Sequence, residues 1–174
     1  MKVTLTAASN KKIDVKKVLV STDKMTVGVG EKVQLEAAVY PKNASDKKLT
    51  YKPSNNKVTV SKNGKITAQK TGTCKITITS SNKKKAVVKV TVKKKPGKIS
   101  LNSKKKTLKV GKKFQIKPKL PNGTASYKIT YTSSKKSVAT VAQNGTVTAK
   151  KKGDAVITVK TYNGKKANLK IHVK

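Results

Sequence analysis

An internal repeat constrains the fold of this chain more than any other feature. The segment KNGKITAQKTGTCKITIT at residues 62–79 returns as QNGTVTAKKKGDAVITVK at residues 143–160. The same shift of 81 positions aligns VGEKVQL at residues 29–35 with VGKKFQI at residues 110–116. A long repeat of this kind marks a structural unit that occurs more than once. The chain is therefore predicted to contain two copies of one unit of about 80 residues.

The repeat also predicts the domain boundaries. We expect one domain at residues 13–92 and a second at residues 98–174, joined by a short linker at residues 93–97. The segment KKKPGK spans this linker, where Pro removes a backbone donor and Gly permits a turn. We expect little swing between the domains. Residues 1–12 have no counterpart in the second copy and are interpreted as an N-terminal extension or the end of a preceding domain, since Lys2 to Ala8 alternate like a strand.

Hydrophobic residues alternate with a period of two through both copies, which indicates β-strands. The inward positions recur in later strands of each copy, as Cys74, Ile76 and Ile78 in the first and Ala155, Ile157 and Val159 in the second. Asn63-Gly64 and Asn144-Gly145 stand between short alternating runs and predict tight type I′ hairpins. Six or seven strands per copy, with one polar face each, predict an all-β fold of two tandem antiparallel β-sandwiches.

The chain carries a large positive charge, and a single residue type supplies all of its basic side chains. All 43 basic residues are Lys, and the formal net charge is +37. Lys lacks the planar fork with which Arg reads base edges, so sequence-specific binding of nucleic acid is not expected. Solvated Lys on the outer faces of two sheets explains the charge, because Lys on exposed edges also prevents strand aggregation. A site for a polyanion is the alternative.

The residues that carry catalysis or bind metals are few and scattered. His172 and Cys74 are the one His and the one Cys, and they fall in different copies. The six acids have no acidic counterpart at the equivalent positions of the other copy, which argues against paired carboxylates or a calcium site. The Gly28-Val29-Gly30 segment precedes a strand and so does not fit dinucleotide binding. No enzyme activity, cofactor or metal is predicted.

Several motifs together resemble the bacterial immunoglobulin-like domain, group 2. They are VGVGEKVQLEAAVYP, LTY, NGKITAQKTGTCKITIT and a closing KVTV strand, and the resemblance covers residues 13–92 and 96–174. Tyr51 and Tyr131 stand where the family usually has Trp, and Cys74 stands where Ala is usual. The resemblance implies an immunoglobulin-like β-sandwich found in tandem in bacterial surface proteins and in appendages of polysaccharide-degrading enzymes.

From this resemblance we expect a non-catalytic module of a bacterial cell-surface or secreted protein. It would space and present another domain, with adhesion as a further role, within a longer exported protein whose signal lies outside this chain. We do not expect the chain to insert into a membrane, and we expect it to be a monomer. The alternatives are a polyanion- or glycan-binding module and an accessory domain of a polysaccharide-degrading enzyme.

Candidate partners are anionic cell-wall polymers such as teichoic acid, sulfated glycans, mucin, nucleic acid bound without sequence preference, and host surface proteins. The candidate ligand contacts lie where the two copies differ or carry an aromatic ring predicted to be exposed. These residues are Lys150, Lys151, Lys152 and Tyr162.

Overall fold

The computed structural model describes residues 12–174, and all the regular secondary structure in that range is β-strand. The all-β prediction is therefore confirmed for the described residues. The alternating segment from Lys2 to Ala8, predicted as a strand, lies outside that range, as does all of the predicted N-terminal extension except Lys12.

Each copy contributes nine strands, more than the predicted six or seven, because two of its long extended stretches are broken. The strands of the first copy are β1 Lys17–Val20, β2 Lys24–Gly28, β3 Lys32–Gln34, β4 Ala37–Tyr40, β5 Leu49–Pro53, β6 Val58–Val60, β7 Lys65–Ala68, β8 Gly72–Ser80 and β9 Lys85–Lys93. Those of the second copy are β10 Ser100–Leu101, β11 Lys105–Leu108, β12 Lys113–Gln115, β13 Pro118–Lys119, β14 Ile129–Ser133, β15 Ala139–Val141, β16 Thr146–Ala149, β17 Gly153–Thr161 and β18 Lys166–Val173.

The two copies have the same sheet topology. In the first copy a four-stranded sheet has the order β2-β9-β8-β5, a three-stranded sheet has the order β3-β7-β6, and β1 pairs with β4. The second copy repeats this as β11-β18-β17-β14, β12-β16-β15 and β10-β13. Buried side chains of the four-stranded and three-stranded sheets share one core in each copy, so these sheets face each other as a sandwich.

One pair of strands in each copy departs from the predicted antiparallel arrangement. β2 runs parallel to β9, with Val27 beside Val92, and β11 runs parallel to β18, with Leu108 beside Val173. The first extended stretch breaks after β1, which pairs with β4, and its second half joins the other sheet. Because of this change of sheet, the second strand of each domain lies beside the domain's last strand and runs parallel to it.

The predicted alternation of core residues is confirmed. Ile76 and Ile78 of β8 are 0% exposed, as are the equivalent Ile157 and Val159 of β17. Cys74 is also buried, at 1% exposure, as expected of a small core residue. Each fully buried aliphatic side chain contributes about 1.5–3 kcal/mol to folding, and the two copies enclose separate clusters of such residues.

The Asn-Gly hairpins form where they are predicted, but with a different turn. The Gly64 amide donates to the Ser61 carbonyl at 2.9 Å, and the Ser61 amide donates to the Lys65 carbonyl at 3.0 Å. Gly64 has φ 76°, whereas Asn63 is not among the residues with positive φ. A type I′ turn needs positive φ at both central residues, so the type I′ prediction is wrong. A type I turn that ends in a left-handed glycine fits instead.

Replacing Gly64 with Ala tests how this glycine stabilises the sandwich. A Cβ at Gly64 would lie 3.0 Å from the Leu35 carbonyl oxygen and 3.1 Å from the Tyr51 ring, in addition to the strain of positive φ. We expect Gly64→Ala to lower the free energy of unfolding by about 2–3 kcal/mol, measured by urea denaturation. The control Gly30→Ala has the same strain, at φ 84°, but no atom within 4 Å of its Cβ, so we expect about 1 kcal/mol. Equal losses would show that the Leu35 and Tyr51 contacts are unimportant.

Candidate functional site

The segment between the two copies is fixed to the second copy by backbone hydrogen bonds. The Lys94 amide donates to the Gly123 carbonyl at 3.2 Å, and the Ala125 amide donates to the Lys94 carbonyl at 3.1 Å. Pro96 is buried, and its carbonyl accepts a bond of 2.8 Å from Nδ2 of Asn163. The connection is therefore held to the second domain at Lys94 and Pro96.

A buried carboxylate lies between the two copies. Glu31, in the turn between β2 and β3, is 1% exposed. Its Oε2 accepts hydrogen bonds from the amides of Gly28 and Tyr127, both at 2.9 Å, and its Oε1 accepts one from the Lys128 amide at 2.8 Å. Tyr127 and Lys128 belong to the second copy, so one side chain of the first copy is held by backbone donors of the other. Successive amides of this kind form a concave site for an anion.

The charge of Glu31 is satisfied without a cationic side chain. Among residues 12–174 the ion pairs join Lys12 to Asp14 and His172 to Asp154, and neither includes Glu31. A buried carboxylate costs several kcal/mol of desolvation unless hydrogen bonds compensate it. Three backbone donors provide that compensation here, and two of them are available only when the second copy is in this position.

Tyr162 and Gly28 complete the contact. The Tyr162 hydroxyl, from the turn after β17, donates to the Val29 carbonyl at 2.5 Å. Gly28 is buried beneath it, and a Cβ at Gly28 would lie 2.5 Å from the Tyr162 hydroxyl and would also clash with the Ala125 carbonyl oxygen. Glycine is therefore required for the second copy to approach this closely.

The Tyr162 hydroxyl is kept in its protonated form. Burial raises the pKa of Tyr162 above the usual 10, and the negative charge of Glu31 raises it further. Because the neutral hydroxyl is the hydrogen-bond donor, the bond to the Val29 carbonyl persists at neutral and mildly alkaline pH. It is lost only as the pH rises through that raised pKa.

The predicted ligand contacts do not come together in space. Lys150, Lys151 and Lys152 are exposed in the loop before β17, whereas Tyr162 follows the last residue of that strand. A strand of nine residues separates the two groups by about 30 Å. Tyr162 is also half-buried against the first copy, where we expected an exposed ring. Ligand binding by these residues stays a prediction, but they cannot form one compact site.

Elsewhere the described residues hold few groups suited to chemistry. His172 is exposed on β18 as predicted, and its Nδ1 lies 2.8 Å from Oδ1 of Asp154. No group of three or more His, Cys, Asp or Glu side chains arranged to hold a metal occurs in the described part of the chain. Within residues 12–174 no helix is long and apolar enough to cross a membrane. A groove of about 490 Å³ passes beside the His172–Asp154 pair and is lined also by Lys105, Lys106 and Lys170.

Sequence reasoning missed Glu31 and Gly28 as functional residues. It considered Glu31 for calcium and Gly28 for a nucleotide, and it favoured neither use. The available signal was a difference between the copies. Glu31 is an acid in a chain with very few acids, and the second copy has Lys112 at that position. Gly28 is likewise replaced by Lys109.

Comparison with known proteins identifies relatives for both copies. The family model for the bacterial Ig-like domain (group 2) matches residues 14–93 and 97–171. An uncharacterized protein of Clostridium acetobutylicum is 34% identical over 144 residues, which is 80% of this chain and 15% of that protein. The kappa-carrageenase of Pseudoalteromonas carrageenovora is 46% identical over 66 residues, 37% of this chain and 17% of the carrageenase. The chain thus spans less than a fifth of either relative's length.

Solved structures that this chain matches include the S-layer protein rSbsC. The match covers 94% of this chain and 28% of that structure, with 20% sequence identity and a TM-score of 0.40.

Removing the Glu31 carboxylate tests whether it holds the junction together. Glu31→Ala leaves three backbone donors without their acceptor, so we expect the free energy of unfolding to fall by about 2–4 kcal/mol, measured by urea denaturation. Glu36→Ala is the matched control, because it removes the same charge from an exposed position and is expected to cost about 0.5 kcal/mol or less. Similar losses in the two variants would contradict a structural role for the buried carboxylate.

Proposed function

Since the chain belongs to the bacterial Ig-like domain (group 2) family, we propose that it is a non-catalytic spacer in a bacterial protein exposed outside the cell. It would hold the domains on either side of it at a fixed distance and angle. The observation that carries this proposal is the buried Glu31 carboxylate, shared between the two copies. The small share of each relative that the chain matches supports a module within a longer protein.

The energetics of the junction favour one orientation of the two domains. Turning one domain away from the other breaks the bonds from the Tyr127 and Lys128 amides to Glu31 and the bond from Tyr162 to Val29 together. Hydrogen bonds to a charged group contribute about 1.5–3 kcal/mol each. A loss of about 3 kcal/mol already reduces the turned-away population to less than one part in a hundred. A spacer must fix the position of one domain relative to the next, and a junction with one favoured orientation does so.

The distance between two labels, one in each copy, tests the spacer proposal. Spin labels at exposed Lys65 and Lys166 would be placed in a Cys74→Ala background, which repeats the Ala155 of the second copy. We expect electron–electron resonance to give a narrow distance distribution for this protein. Gly28→Ala should broaden it, because the added Cβ collides with Tyr162 and Ala125.

Gly97→Ala is the matched control for that measurement. Gly97 lies in the segment between the copies, has no positive φ, and has no atom within 4 Å of a Cβ. We expect it to leave the distribution narrow. A distribution as broad in the parent protein as in Gly28→Ala would refute the spacer proposal.

Binding of a polyanion is a second candidate function, and the groove beside β18 favours it. Lys105, Lys106 and Lys170 line this groove of about 490 Å³ together with His172. Asp154 is the one acid on its walls and is paired with His172. The net charge of +37 would draw a sulfated or phosphorylated polymer towards this surface. Teichoic acids and sulfated glycans have that chemistry.

Heparin binding at increasing salt distinguishes a groove site from general attraction. Replacing Lys105, Lys106 and Lys170 with Gln should weaken binding about tenfold or more and lower the salt dependence. The control replaces three exposed loop lysines of the first copy, Lys42, Lys47 and Lys62, with Gln. Equal losses in the two variants would mean that heparin responds only to total charge, and the groove would then not be a site.

A further inference from the structure

The contact between the two copies leaves an open pocket of about 340 Å³ beside it. Its walls come from both copies: Lys32, Val33 and Gln34 of the first and Tyr127, Lys128 and Ile129 of the second. The pocket depends on the orientation of the domains, because the amides of Tyr127 and Lys128 are bound to Glu31. It is therefore formed by the two copies themselves, whatever domains precede or follow them.

A second open pocket, of about 380 Å³, continues from the first across the outer face of the sheet β3-β7-β6. Lys32 lines both pockets. In the register of this sheet Lys32 lies beside Thr67, and Thr67 lies beside Thr59, so the second pocket crosses three strands. Two strand spacings add about 10 Å to the length of the surface. We call the two pockets together the junction cleft.

Positive side chains line the junction cleft without acidic partners. Lys32, Lys65 and Lys128 are exposed along it. Among the described residues no Asp or Glu lines either pocket. The Glu31 carboxylate is buried at the junction, where both of its oxygens accept backbone amides, and it forms no ion pair with these lysines. An anion that enters the cleft would therefore meet lysines that have no carboxylate partner.

Tyr127 places an exposed aromatic ring in the junction cleft. Its residue is 51% exposed, although its amide is fixed by Glu31 at 2.9 Å. The chain has only five Tyr and one Phe, and Tyr51 and Tyr131 pack against the two cores while Tyr162 contacts the first copy. A tyrosine ring combines an apolar face with a polar hydroxyl. That combination suits a sugar ring, which has C–H groups on its face and hydroxyls around its edge.

The cleft contains side chains that the equivalent positions of the other copy lack. Tyr127 stands where the first copy has Lys47, and Lys65 stands where the second copy has Thr146. In the second copy the Thr146 hydroxyl is bonded to the side chain of Gln115 at 2.9 Å, whereas Lys65 is exposed. Each copy thus carries one group that its repeat does not, and both groups line the junction cleft.

We propose that the junction cleft binds an acidic glycan, a chain of sugars that carry sulfate or carboxylate groups. One sugar ring would pack on Tyr127, with its acidic groups paired to Lys32 and Lys128. The chain would continue over the Thr67 hydroxyl towards Lys65. This site is separate from the groove beside β18, and the proposal does not rest on that groove.

Single-stranded nucleic acid has a related chemistry but fits the cleft less well. Sites for single strands stack successive bases on several aromatic rings, and the described lining of the junction cleft has one ring, Tyr127. The lysines attract both kinds of polymer. The hydroxyls of Thr59, Ser61 and Thr67 favour the glycan, because they can exchange hydrogen bonds with sugar hydroxyls.

Titration with heparin tetrasaccharide, followed by amide nuclear magnetic resonance of the full chain, tests where an acidic glycan binds. We expect saturable shifts at the amides of Lys32, Gln34, Tyr127 and Lys128. Cellotetraose, a neutral chain of the same length, should shift none of them. The proposal is overturned if these amides do not shift up to about 1 mM heparin tetrasaccharide, or if the shifts occur only in the groove beside β18. It is also overturned if cellotetraose or a thymidine tetranucleotide shifts the same amides equally.

Removing the aromatic ring tests its contact with the sugar. Tyr127→Ala should weaken binding of the tetrasaccharide by about tenfold. Tyr40→Ala is the matched control, because Tyr40 is 47% exposed and lies in the first copy outside the cleft. We expect the control to bind as the parent protein does. Equal affinities of the two variants would contradict a sugar ring packed on Tyr127.

Removing two charges separates a site from general attraction. Lys32→Gln combined with Lys128→Gln should weaken binding by about fivefold or more. The control combines Lys113→Gln with Lys48→Gln, which are the equivalent positions of the other copies and remove the same charge. All four lysines are exposed, so folding should be unaffected, as circular dichroism can verify. Equal losses in the two double variants would overturn the proposal, since total charge alone would then explain binding.

Discussion

The burial of one carboxylate between two domains determines how this molecule is organised. The Glu31 carboxylate loses its hydration on burial. Hydrogen bonds from backbone amides compensate this loss, and two of those amides belong to a loop of the other copy. This arrangement is favoured by a short connecting segment, and it requires Gly28 to have no side chain. The two sandwiches have separate cores, and their relative position depends on this charged group together with the Tyr162 bond to Val29.

The fold could be predicted in most respects because a repeated alternating pattern encodes it locally. Ile76 and Ile157 occupy equivalent inward positions, and burial of such residues follows directly from a period of two. The hairpin at Gly64 could also be located, although its type could not. The Asn-Gly dipeptide permits positive φ at both of its residues but does not require it, so it does not determine the turn type. The parallel pairing of β2 with β9 depends on where the first stretch crosses between sheets, which alternation does not specify.

The junction could not be predicted in the same way, because its residues are distant in sequence and lie in turns. Glu31 meets an amide 96 positions away, and no periodic pattern connects the two. Tyr162 looked exposed because it follows a strand at a turn, and only the position of the first copy covers it. Comparison of the copies with each other was the useful signal. Positions that differ in size or charge between otherwise similar repeats are those that meet different neighbours.

The parallel pair at the edge of each sandwich has a mechanical consequence. β2 lies near the start of the first domain and β9 ends it, and the two run side by side in the same direction. A force that pulls the ends of the domain apart therefore slides these strands along each other and loads their hydrogen bonds together. Antiparallel strands pulled from their shared open end would separate one bond at a time. Each domain can thus resist stretching along the line that joins its two ends.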